Sequence, residues 1–178
     1  LNADGHAGVS LTEANNVVKL GGHTNAGAFT FADADGFDIA LVDVNNGISS
    51  SGGGNIVLTS QFANITQSGG ATLATSGAAT INAQTGITLN SANTAPIVSL
   101  NNSVSGHVGY SANTVLLSAS AANSATGGNL TLSNTGSVVT TGSGIGSNGT
   151  TTVNASGGGS DITVTTWAPI MGNDVTLN

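Results

Sequence analysis

The sequence predicts an all-β protein, a right-handed parallel β-helix of about eight coils with 20–24 residues and three short strands per coil. Two observations carry the solenoid, and the handedness follows from a resemblance given below. First, one local pattern recurs: a small residue, then apolar–Thr–apolar, then Ser, Thr or Asn, as in Gly86-Ile87-Thr88-Leu89-Asn90 and Gly128-Asn129-Leu130-Thr131-Leu132-Ser133. Alternation with period two marks a half-buried strand, and no window has helical periodicity. Second, the strands come too close together for crossover helices. Leu73, Ile81 and Leu89 stand eight residues apart, and Leu58 and Ile65 extend the series upstream. Two-residue Asn-Gly turns between long alternating strands are mostly missing, which disfavours hairpins. A chain that turns three corners and returns above its own start satisfies both observations. The equivalence Leu132, Val153, Leu177 fits the same coil length.

Composition agrees with a narrow coil. Gly, Ser, Thr and Asn account for 93 of 178 residues, and aromatics for only 3%. Small residues suit sharp corners, while Val, Ile, Leu and Ala fill a thin interior. Disorder normally combines low hydrophobicity with high charge, whereas this chain is 38% hydrophobic and 5% charged.

Taken in order, residues 17–20, 28–32 and 37–42 read as the first clear strands. Phe29 and Phe31 share a face, as do Phe37, Ile39 and Leu41, with Asp35-Gly36 as the turn between the two strands. Six of the eight acids and three of the four Phe lie before residue 49. Residues 1–48 are therefore expected to form broader, more acidic coils. Residues 49–178 should form regular coils of the same single segment, with Ile56 and Leu58 inward and Val57 outward. Later strands are marked by Ile87-Thr88-Leu89, Ile162-Thr163-Val164 and Val175-Thr176-Leu177.

The charge balance excludes several functions. Lys19 is the only cation and the net charge is −7, which cannot neutralise a phosphate backbone or dock on an anionic membrane through basic residues. No apolar run reaches eighteen residues, so no membrane-inserted helix is expected. Absence of Cys removes disulfides and thiolate metal sites.

The stretch from Asn16-Val17-Val18 through Gly27-Ala28-Phe29-Thr30-Phe31-Ala32-Asp33 to Gly47-Ile48 and Gly53-Gly54-Asn55-Ile56-Val57-Leu58-Thr59 resembles repeats of filamentous-haemagglutinin-like bacterial exoproteins. Residues 127–133 and 172–178 are similar. The resemblance covers most of the chain, but its motifs are degenerate. It implies a right-handed parallel β-helix, export by two-partner secretion or autotransport, and roles in adhesion, aggregation or biofilm at the cell surface. The Asn-Pro-Asn-Gly signature of that family's secretion domain is missing, the only prolines being Pro96 and Pro169. With no initiator Met or signal peptide, the 178 residues are expected to be an internal segment of a longer chain or one subunit of a filament.

Several constellations compete with plainer explanations. Asp33, Asp35 and Asp38 around Gly36 suggest a Ca²⁺ corner. The spacing fails the EF-hand, whose twelfth position would be Val44, and Asp-Gly serves turns readily. Gly142-Ser143-Gly144-Ile145-Gly146 lacks the Lys and the following helix of a phosphate loop, and reads as a flexible corner. His6, His23 and His107 are scattered with no nucleophile elbow nearby. No Arg is present and no close carboxylate pair is identifiable, so no enzymatic activity is expected. The five sequons at Asn64, Asn101, Asn129, Asn148 and Asn154 match the number that composition gives by chance. Thr150-Thr151-Thr152 and Thr163-x-Thr165 raise ice binding. That function needs Thr at one strand position in successive coils, and the outward positions vary (Val57, Thr72, Thr88, Thr131), so Thr reads as strand filler. Trp167, with Ile170 and Met171, either caps a bulging coil or forms a contact patch.

The expected function is a structural and adhesive surface protein that self-associates or is covered by flanking coils, with surface glycans as further partners. The competing class is a carbohydrate-binding or carbohydrate-cleaving β-helix.

Overall fold

The computed structural model describes residues 1–178 and contains strands and turns but no helix. Consequently no helix is long and apolar enough to cross a membrane. Apart from one small hairpin, every strand pairs in parallel with its equivalent one coil away, which builds a β-solenoid of about eight coils.

Three faces can be followed. Face I runs through Val9–Asn15, Phe29–Asp33, Ile56–Ser60, Ala78–Ala83, Ile97–Asn102, Leu116–Asn123 and Ser137–Ser147. It ends on the short strands Ile162–Thr163 and Ile170–Met171. Face II runs from the start of Lys19–Thr24 through Phe37–Ile39, Ile65–Gln67, Ile87–Asn93, Val108–Ala112, Leu130–Asn134 and Thr150–Ala155 to Asp174–Leu177. Face III comprises Asn2–Gly5, the end of Lys19–Thr24, Asn45–Ser50 and Thr72–Thr75, and finishes on a single bridge from Ala74 to Thr94. The three-strand coil is thus realised in the N-terminal half, whereas the later coils carry two principal strands.

Alternation sets the packing. On face I an interior stack runs unbroken through Leu11, Phe31, Leu58, Ile81, Leu100, Ala121, Ile145 and Ile170. On face II, Leu89, Tyr110, Leu132, Val153 and Leu177 are stacked, so the Leu132–Val153–Leu177 equivalence holds residue for residue. Neighbouring members of a stack sit one strand spacing apart, about 4.8 Å. Each buried Leu or Ile contributes about 1.5–3 kcal/mol. The buried apolar residues form one cluster reaching from Ala3 to Val153. Aromatics fill part of the interior of the N-terminal coils, with Phe31 and Phe37 packed edge to face at 5.0 Å. Tyr110 is buried with its hydroxyl unpartnered, and desolvation pushes the phenol well above its usual value near 10.

Corners are built from polar side chains turned inward. Asn102 is buried; its Oδ1 accepts from Gly86 N at 2.8 Å, and its Nδ2 donates to Ser105 O at 2.7 Å and to Asn123 Oδ1 at 2.9 Å. Asn93 and Asn134 serve face II in the same way. These amides satisfy backbone groups that the turn removes from the ladder. Gly27 marks a corner where only glycine fits. Its φ is 81°, and a Cβ would lie 1.9 Å from the carbonyl oxygen of Ala7.

Coil length departs from the expected 20–24 residues. Phe29 pairs with Ile56, a step of 27 residues, while Ala79 pairs with Val98, a step of 19. The long coil contains the antiparallel hairpin in which Leu41 faces Asn46 and Val42 faces Asn45, turned by Asp43 at φ 55°. Leu41 therefore leaves the face shared by Phe37 and Ile39 and is 59% exposed. Alternation implied the opposite, because the strand that the pattern extrapolates is interrupted at Ala40 and its continuation, Leu41–Val42, folds into the hairpin turned at residues 43–44.

Candidate contact surfaces

The acidic corner is a backbone cap. Asp33 ends a face I strand and is fully buried. Its Oδ2 accepts from Val17 N at 2.8 Å, and its Oδ1 accepts from Asp35 N at 3.0 Å and Gly36 N at 2.9 Å. Three N–H donors thus compensate the carboxylate directly. Asp35 points away and accepts from Asn16 Nδ2 at 3.0 Å. Asp38 lies on face II, where its carboxylate accepts from the hydroxyls of Thr66 and Ser68 one coil on. Asp33, Asp35 and Asp38 are therefore not assembled as a Ca²⁺ ligand set, and no group of three His, Asp or Glu residues converges to hold a metal. Spacing brought these acids within six residues, but strand geometry sends their carboxylates in three directions.

The aromatic cluster near the C-terminus divides in two. Ile170 turns inward and packs on the core as the last member of the face I stack. Trp167 is 88% exposed, so it neither caps nor fills the coil, and the anchor of its turn is the neighbouring Ala168, which is buried. Its position follows from an insertion one coil earlier. Strand Ser137–Ser147 pairs Thr140 with Ala119 and Ile145 with Ala121, leaving residues 141–144 as a bulge. Residues 164–169 stack on that bulge: Thr165 N donates to Thr140 Oγ1 at 3.0 Å, and Ile145 N donates to Pro169 O at 2.9 Å. Gly144 permits this approach, with φ 90° and a virtual Cβ only 2.1 Å from Pro169 O. The glycine-rich run at 142–146 is thus a bulge within a strand. Beside it lies a shallow depression of about 350 Å³ lined by Ala122, Ser124, Ser143, Gly146, Asn148 and Met171. Small side chains form its floor, hydroxyls and amides its walls, and the half-exposed Met171 closes one end.

Both ends of the solenoid present unpaired strands. Val175 and Leu177 extend the interior stacks above Thr151 and Val153, yet each is nearly half exposed. At the other end Val9, Leu11 and Leu1 border a depression of about 360 Å³. Each end is a parallel sheet edge over an apolar interior, the arrangement that pairs with another edge.

The histidines are distributed over corners and one face. His107 Nδ1 accepts from Asn129 N at 3.0 Å at an exposed corner. On face III the register aligns Asp4, His23 and Ser49, which sequence spacing did not reveal. Asn25 Oδ1 can only accept, so His23 Nε2 carries the proton in that 2.7 Å bond, and Nδ1 accepts from Ser49 Oγ at 2.8 Å. Neither Ser49 nor His23 lines the depression at Met171 or the one at Leu1. The network joins three coils. Among the sequons, Asn64, Asn101, Asn129 and Asn148 are exposed, while Asn154 is half-buried and donates to Ser133 Oγ at 2.9 Å.

The chain matches no protein-family model, and neither the curated proteins nor the solved structures show a significant similarity to it.

Proposed function

We propose that this chain is a structural and adhesive element, a rigid β-solenoid stalk or filament segment exported to a bacterial surface. The observation that carries the reading is the unbroken parallel register through about eight coils over one continuous apolar interior. Such a rod resists bending because each coil is hydrogen-bonded to the next along every face. The edge strands of its terminal coils pair with flanking coils of the same polymer or with equivalent edges of another chain. Its lateral surfaces, which carry only two charged residues after residue 48, provide many weak contacts whose sum is strong. This role requires neither catalysis nor a cofactor. The resemblance of the repeats to filamentous-haemagglutinin-like exoproteins supports the surface location.

Electron microscopy and light scattering of the purified chain test the reading. End-to-end particles that lengthen with concentration are expected, and monodisperse monomers at high concentration would overturn the filament version.

A second reading, glycan binding, is favoured by the exposed Trp167 on the coil that borders the neutral depression at Met171. Exposed amphipathic aromatics suit the faces of sugar rings. A glycan array probed with wild type and Trp167→Ala separates this reading from a purely mechanical one, since only a sugar site loses signals in the variant.

A further inference from the structure

Register sorts the outward residues by face and reverses the reading of threonine as filler. Val57 belongs to face I and Thr72 to face III, whereas Thr88 and Thr131 both belong to face II. On face II a single outward position reads Thr66, Thr88, Gly109, Thr131, Thr152, Thr176 through six consecutive coils. The one interruption, Gly109, is covered by the Asn90 amide, whose oxygen lies 2.9 Å from a virtual Cβ there. Two residues further along the strands runs a second row of Ser111, Ser133, Asn154 and Asn178, in which Asn154 donates to Ser133 and Asn178 donates to Asn154. The corresponding row on face I is mixed, reading Thr30, Val57, Thr80, Ser99 and Ser120.

We propose that face II binds the ordered water lattice of ice. Along the solenoid the threonines repeat at the strand spacing of about 4.8 Å, and the two rows lie about 6.6 Å apart, two residues along a strand. The axial repeat is close to that of hydrogen-bonded water in ice. From Val108 onward the pairing on this face runs without a register shift, which keeps the two rows aligned from coil to coil. Thr66 is bonded to Asp38, but the hydroxyls of Thr88, Thr131, Thr152 and Thr176 have no protein partner and remain free to donate and accept. From Thr66 to Asn178 the two rows are uncharged; the nearest charges on this face are Asp38, one coil before Thr66, and Asp174, two residues before Thr176. The methyl groups between the hydroxyls exclude mobile water. Immobilising one water costs up to about 2 kcal/mol, so a lone threonine holds none, whereas a rigid two-row array anchors many at once. A crystalline polysaccharide would call for aromatic platforms, and these rows contain only Thr, Ser, Asn and Gly.

Ice-affinity partitioning and thermal hysteresis of the full chain test the proposal, independently of whether rods join end to end. Wild type should be enriched in slowly grown ice. Thr131→Tyr/Thr152→Tyr should be excluded like a non-binding reference protein, while Ser99→Tyr on face I should retain full enrichment. Tyrosine suits exposed strand positions, so folding is expected to persist; if melting shows otherwise, Thr131→Ala/Thr152→Ala carries the same readout. Exclusion of wild type from ice overturns the proposal. So does equal enrichment of the face II variant, or binding to crystalline cellulose or chitin without binding to ice.

Discussion

Replacing Tyr110 with Phe should make the protein more stable. The ring occupies the face II stack between Leu89 and Leu132 and is 1% exposed, yet its hydroxyl bonds to nothing. A buried hydroxyl without a partner costs about 1–3 kcal/mol, while the ring supplies the packing in both side chains. Tyr110→Phe therefore gains about 1–2 kcal/mol, and for a chain of this length that raises Tm by about 2–8 °C. A second readout isolates the cause. Burial holds the phenol neutral in the folded state, whereas in the unfolded chain it ionises near pH 10. Below that pH both states are protonated and the stability from this group is constant. Above it the unfolded state binds fewer protons, so wild type should lose about 1.4 kcal/mol per pH unit. This tyrosine is unique, Lys19 is the only Lys or Arg and no Cys is present, so few other side chains titrate above pH 9. Circular-dichroism melts of both proteins from pH 7 to pH 11 make the comparison. A variant that melts at or below wild type at pH 7, or one that loses stability equally above pH 10, would refute the reasoning.

Three further outcomes follow from the corners and ends. Asn102→Ala strands the Gly86 N–H, the Ser105 carbonyl and the Asn123 amide oxygen, and should cost about 3 kcal/mol or more, read by thermal or urea melts. Asp33→Ala deprives three backbone N–H groups of their acceptor and should lower Tm by roughly 6–12 °C, while Ca²⁺ should leave the wild-type Tm unchanged; a Ca²⁺-dependent rise would contradict the capping role. Val175→Lys/Leu177→Lys places charge on the open end above Thr151 and Val153. It should abolish lengthening in light scattering while changing stability by only about 0.5–1 kcal/mol, because both side chains are already half exposed.

The inward positions were legible because they depend on local alternation. Ile56, Leu58, Leu73, Ile81 and Leu89 are all buried as period two requires, and the spacing of Leu132, Val153 and Leu177 already marked the coil. Alternation is written into each strand by the pleat, so no distant residue is needed to read it. Leu41 was misplaced, and Trp167 was left open between a cap and a contact patch, at the two points where the chain departs from a plain coil, the hairpin at 41–46 and the bulge at 141–144.

Face identity was the part that sequence could not supply. Corners vary in length, so coils step by 18 to 28 residues, and counting cannot tell which outward residues become neighbours. Only the hydrogen-bonded register aligns Asp4 with His23 and Ser49, separates the carboxylates of Asp33, Asp35 and Asp38, and gathers Thr66, Thr88, Thr131, Thr152 and Thr176 into one row. The sequence alone thus determined a narrow, sparsely charged, stacked β-structure, because side-chain size and period two act within a few residues. Which residues share a surface was decided by the tertiary structure, because neighbours across coils are fixed by backbone pairing over twenty or more residues.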